Sequence, residues 1–222
     1  MGSVIGEILP LAVGIAISPI PIIAVILMLL SPRAKGTSLG FMIGWIAGIV
    51  VAIVVFTLLA SIIPQHTGGG SPVAGVIKII LGLLLLFLAI RQWRGRLTKG
   101  EEPAMPKWMS AIDSMTAGKG LGLGFLLSAV NPKNLLMAAS AGVIVGGAGL
   151  AFGQTGIVII IFVLLAGCTV IIPVVGYLIA SARLAGPLDR LRKWLVDNNA
   201  VIMAVVLLVI GVAVIGKGIA EF

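Results

Sequence analysis

Long apolar runs alternate with short polar ones along this chain, and the runs are of membrane-spanning length. Apolar residues dominate 4–30, 38–63, 72–91, 122–148, 156–180 and 200–220. A helix needs ~20 residues to cross a ~30 Å hydrocarbon core, so the pattern predicts an all-α membrane protein with six transmembrane helices. The interruptions carry turn residues: Ser31-Pro32-Arg33-Ala34-Lys35-Gly36 after the first run, and an uncharged loop from Pro64 to Pro72 after the second.

Two of the runs are predicted to be broken. Ser18-Pro19-Ile20-Pro21 lies mid-way through the first, and two prolines removing backbone donors should split that helix. Asn131-Pro132-Lys133-Asn134 lies mid-way through the fourth. Ser-Pro and Asn-Pro are each a good N-cap followed by the residue favoured at the first helical position, so each should start a new half-helix. The same numbering shift carries Pro19 onto Pro132 and Gly40 onto Gly153. Six spans with breaks in the first and fourth suggest two inverted three-helix repeats, 1–93 and 119–222, in a single transmembrane domain with a linker over 94–118.

Other patterns refine the elements. Gly40, Gly44 and Gly48 form one smooth stripe on the second span, suited to close packing within the chain or between two copies in a homodimer. Leu184, Leu188, Leu191 and Leu195, flanked by Trp194, give 183–199 an amphipathic pattern that predicts an interfacial helix. Trp108, Met109, Ile112 and Met115 share a face in the linker and suggest a second surface-lying segment.

Composition agrees with a membrane protein: 60% of the 222 residues are hydrophobic and 10% charged, against about 25% charged in a soluble domain. The formal charge of +8 does not imply a nucleic-acid partner, because the cations sit in loops. The loops after spans one, three and five hold two, six and four Lys and Arg, and those after spans two and four hold none. The positive-inside rule then places the odd loops in the cytoplasm and both termini outside the plasma membrane. No cleavable signal peptide is expected, since the first apolar run is long and lacks a basic start.

Lys133 is the residue whose cost demands a reason. Counting ~1.5 Å per residue from Gly122 puts it roughly 16 Å deep, near the middle of the hydrocarbon. An intramembrane cation is by default a functional-site hypothesis. The starts of the two half-helices would direct their positive dipole ends toward the same centre, favouring an anionic group. The candidate substrate-binding residues are Ser18, Pro19, Pro21, Asn131, Pro132, Lys133 and Asn134. The alternative is structural, with Lys133 paired to Glu7 or to backbone carbonyls. Glu7 and Lys78 are candidates for ion coupling, although Lys78 can also snorkel to the nearer surface. Cys168 is alone, so no disulfide or thiol relay is expected, and it reads as a packing residue. His66 stands alone in a loop, so no metal site is expected, and no cofactor is implied.

The run Gly14 to Val25 with its S-P-I-P core, the segment Leu29 to Ala34, Gly40-Phe41-Met42-Ile43-Gly44-Trp45, the Asn131 to Leu136 segment and the Ile215-Gly216-Lys217-Gly218 end together resemble the GAP family. These are the peptidoglycolipid- or sulfolipid-addressing proteins of the LysE exporter superfamily. The resemblance covers nearly the whole chain, and the S-P-x-P and N-P-K-N segments are its most specific parts. It implies export of cell-envelope glycolipids, with Ser18, Pro19, Pro21 and Asn131 to Asn134 as the matching positions. The expected function is therefore a non-enzymatic transporter that exports or flips an anionic envelope lipid. Two other readings stand beside it: an exporter of a small solute such as an amino acid, and a scaffold for envelope-lipid synthesis. The expected partners are the bilayer, an amphiphilic substrate and lipid-synthesis or export proteins.

Overall fold

The computed structural model describes residues 1–62, 72–95, 112 and 114–222. The loop that holds His66, and most of the 94–118 linker with Trp108 and Met109, lie outside the described residues. Among the described residues, seven α-helices follow one another: α1 (Gly2–Ala16), α2 (Pro19–Leu30), α3 (Ala34–Ser61), α4 (Pro72–Arg94), α5 (Ala117–Ala129), α6 (Pro132–Gly146) and α7 (Phe152–Ile219). No strand occurs among the described residues.

Among the described residues, four helical stretches are long and apolar enough to cross a membrane alone: Ala34–Ser61, Pro72–Arg94, Phe152–Ala180 and Leu184–Ile219. The last two are arms of α7, separated at Ala180, whose φ of −140° and ψ of 47° leave the helical region. α1 and α2 form a fifth, bent by 51° at the predicted Ser-Pro break. α5 and α6, of 13 and 15 residues, are each too short to cross alone.

Their packing explains why two short helices occur there. α5 runs beside the first part of α3 and α6 beside the last. A Cβ on Gly40 would meet the Ala117 carbonyl, and one on Gly44 the Leu121 carbonyl. On the facing helix, a Cβ on Gly120 would meet the Thr37 carbonyl and one on Gly124 the Phe41 carbonyl. Further along, a Cβ on Gly142 would collide with Phe56, and one on Gly146 with Thr57 and Ala60. α5 and α6 thus lie end to end along all of α3 and parallel to it. Small residues are what let backbones approach so closely in lipid. The α3 stripe is consumed within the chain, which removes the ground for a homodimer through that face.

α4 packs antiparallel to the second arm of α7 through another glycine set. Gly75 faces Gly218, and Gly82 faces Gly211 and Ile215. Ion pairs bring both chain termini to this end: Lys217 lies 3.5 Å from Glu7, and Lys78 pairs with Glu221.

The core contains the second halves of the two broken helices. α2 is buried almost all round, with Ala24, Val25, Ile26, Met28 and Leu29 inaccessible. From Met137 to Val145, α6 is buried at every position. Helices apolar on all faces belong inside a bundle. Gly149, with φ of +59°, supplies the turn from α6 into α7 that a side chain would resist.

Two surface-lying segments are corrected by the structure. Residues 184–199 do not form a separate interfacial helix; they run without interruption into the last span. Leu188 and Leu195 pack into the core while Leu191 is exposed, so burial selects only part of the leucine face. Asp189 joins Arg192 and Lys193 by i,i+3 and i,i+4 ion pairs on the same helix. In the linker, Ile112 and Met115 are buried in the core and do not lie on a membrane surface.

The α3–α5 interface gives a direct test. Gly44→Val should lower the thermal midpoint of detergent-solubilised protein or prevent its accumulation, because overpacking against backbone costs about 1–3 kcal/mol or more. Gly36→Ala, whose new methyl would meet only Ala117 Cβ at 3.8 Å, should leave the midpoint unchanged or slightly raised.

Candidate functional site

The site originates in the two helix breaks. Pro19 and Pro21 have no N–H, so α1 cannot continue its i→i−4 pattern. The Ser18 amide bonds Ile15 O at 3.1 Å in a tighter turn, which frees the carbonyl of Gly14. In lipid a freed backbone group must find a partner inside the protein. The Lys133 ammonium donates to Gly14 O at 2.8 Å, and the Thr169 hydroxyl donates to Ala16 O at 2.7 Å.

The second break is resolved in the same way. Pro132 ends α5, and Asn131 caps α6 by accepting the Lys133 amide on Oδ1 at 3.1 Å. The Asn134 side chain donates to Leu127 O at 3.0 Å, replacing the helical donor lost at the break. Ser18 occupies the corresponding cap of α2 but makes no side-chain cap bond. The two breaks are chemically parallel in sequence and unequal in structure.

Between α2, α4, α6 and the second arm of α7 lies a cavity of about 430 Å³. Its walls bring together Ser18 and Ile20 from α2, Asn131, Pro132 and Lys133 from α6, and Asn199 from α7. Arg91 and Gln92, from the last turns of α4, complete it. Lys133 is 6% exposed, and Gly14 O is its hydrogen-bond partner among the described residues. An ammonium has three donors, so two remain for a ligand. No carboxylate pairs with Lys133 or Arg91 among the described residues. Asn199 Oδ1 is buried without a hydrogen-bond partner. A buried cation with one carbonyl is incompletely compensated, and an anion entering the cavity would complete it.

The sequence-predicted residues therefore divide. Ser18, Asn131, Pro132 and Lys133 line the cavity. Pro19, Pro21 and Asn134 do not: the prolines are buried in the first turn of α2, and Asn134 turns back to α5. Glu7 and Lys78 lie at the end that holds the termini, in ion pairs with Lys217 and Glu221. Lys217 Nζ also donates to Glu7 O at 2.9 Å. The space beside Glu7 is about 10 Å³, scarcely room for one water. Lys78 is 7% exposed and reaches Glu221 instead of open solvent. Lys133 pairs with a carbonyl, not with Glu7.

Arg91, Gln92, Asn199 and Thr169 are the residues that sequence reasoning missed. Arg91 was legible only as a loop-flanking cation. Asn199, a carboxamide at the edge of an apolar run, was the available signal. A wider recess of about 680 Å³ between the starts of α3 and α5 holds exposed Arg33 and Lys35, but neither break reaches it.

Multiple apolar spans, one bent pair and a polar cavity where interrupted helices begin define a multi-pass helical membrane protein with polar chemistry held inside the bundle. A family model described as Sap, sulfolipid-1-addressing protein, matches residues 8–220, and the chain belongs to that family. The match spans the S-P-I-P and N-P-K-N segments and agrees with the resemblance they carry. No curated protein and no solved structure matches the chain.

The carbonyl partners can be checked by substitution. Thr169→Val should destabilise the protein by about 1–3 kcal/mol by orphaning Ala16 O, while Thr169→Ser should not. Asn131→Ala should cost about 1 kcal/mol through the lost cap, and Ser18→Ala clearly less. Denaturant midpoints in a fixed detergent would read both pairs.

Proposed function

We propose that this protein moves an anionic envelope lipid across the plasma membrane, holding the headgroup in the cavity between the helix breaks. The supporting observation is the convergence of Lys133, Arg91 and the starts of α2 and α6 on one polar space, with no carboxylate partner among the described residues. The family's description names a sulfolipid, and a sulfur oxyanion is a compact anion of the kind such a space favours. The chain's own lipid belongs to that chemical class.

In this reading α5 and α6 together make a sixth span, supported by their end-to-end course along α3. The chain is then one transmembrane domain of two inverted repeats, 1–93 and 119–222, joined by a cytoplasmic linker over 94–118. Both termini lie outside, as the Lys and Arg distribution favours. Ser18, Asn131, Pro132 and Lys133 contact the headgroup, while Pro19, Pro21 and Asn134 shape the breaks. Glu7 and Lys78 act in a closure at the outer end, where their ion pairs join α1 and α4 to the second arm of α7. A small-anion exporter is the second reading, because about 430 Å³ is a volume typical of small-molecule pockets.

The test compares lipids extracted from the cell surface with those retained inside, in cells carrying equal amounts of each variant. Arg91→Gln and Lys133→Met should each lower surface lipid by at least about tenfold, the effect of removing one partner of a charge-assisted contact. The Arg91 side chain is exposed and in no ion pair among the described residues, so its effect separates transport from folding. Unchanged surface lipid in a well-folded Arg91→Gln protein would favour the scaffold reading. Retention of small anions, with lipids unaffected, would favour the second.

A further inference from the structure

Outside the cavity, on the opposite faces of α4 and the second arm of α7, lies a separate groove of about 410 Å³. Its floor is two small buried residues, Ala89 and Ala204. Its walls are large and half-exposed: Ile90 and Trp93 on one side, Val205 and Leu208 on the other. A channel with a small floor and tall apolar walls has the cross-section of an acyl chain. Arg94 closes one end.

Helix geometry ties this groove to the cavity. Arg91 and Arg94 stand three residues apart in the last turn of α4, Arg91 on the cavity side and Arg94 on the groove side. The glycines that lock α4 to α7 lie at the other end, at Gly75, Gly82, Gly211 and Gly218. Towards Arg94 the helices carry alanines and bulky side chains and leave space on both faces. We propose that this groove binds one acyl chain of an anionic lipid from the cytoplasmic leaflet, with the lipid headgroup held by Arg94. From there the headgroup passes to Arg91, one turn earlier on α4, and so into the cavity. This route rests on the reading of the cavity as a headgroup site.

Chain burial alone cannot select the occupant, because bilayer lipid is as apolar as the groove. Selection must come from the cation, so the test varies headgroup at constant chain. The protein, with Trp108→Phe and Trp194→Phe, is reconstituted in phosphatidylcholine nanodiscs, so that its remaining tryptophans are Trp93 and the buried Trp45. A minor fraction of either phosphatidylglycerol or phosphatidylcholine carries brominated chains, which quench indoles in contact. Phosphatidylglycerol should be preferred at Trp93 by about fivefold, the worth of one cation at an anionic membrane surface. Arg94→Gln, at an exposed position, should reduce the preference to near unity. Equal quenching by both lipids, or a preference that survives Arg94→Gln, overturns the proposal. Lys133→Met should retain the preference while losing surface lipid. If it retains both, the cavity reading fails and the groove stands; if transport is lost but Trp93 never preferred the anionic lipid, the groove fails and the cavity stands.

Discussion

Everything in this fold follows from the requirement that a backbone interrupted inside a membrane be satisfied from within the protein. Water is not available there, and each unpaired carbonyl or amide costs several kcal/mol. The two prolyl breaks release groups on α1 and α5. Those groups are met by side chains: Lys133 at Gly14, Thr169 at Ala16, and, seven residues on across its own break, Asn134 at Leu127. The first two bonds join helices more than a hundred residues apart in the chain. The interruptions thus hold α1, α6 and α7 in fixed relation.

That relation also makes the cavity polar. The lysine that compensates the end of α1 has donors to spare, and it is held where the first turns of α2 and α6 face the same space. Structural and ligand-binding roles for Lys133, stated as alternatives from sequence, are not exclusive in this geometry. One N–H serves the backbone, and the ammonium has two further donors on a residue that lines the cavity with Arg91.

The legible parts of the sequence were those governed by local rules. Proline chemistry placed both breaks between the correct residues, and apolar length placed the four long spans and the bent pair. The glycine stripe of α3 was legible as a packing face, but its partner was not, because the matching glycines of α5 sit in a run that reads as generic membrane helix. The amphipathic pattern at 183–199 misled for a related reason: periodicity marks an apolar face without saying whether lipid or protein covers it. Among the candidate site residues, the cap and its lysine were legible by their cost in hydrocarbon. Arg91 and Asn199 were not, since each is unremarkable at the end of a span and gains meaning only when α4 and α7 bring them to the cavity.

The interlocked stripe of α3 and α5 also constrains how the chain is assembled. α3 is complete at Ser61, but the surface it must meet begins at Ala117. At ~5–20 residues per second of synthesis, the stripe waits ~3–10 s for its partner. During that interval its glycines expose backbone to whatever neighbours the inserting chain encounters. Biogenesis, as much as the finished fold, thus sets a limit on what those three positions tolerate.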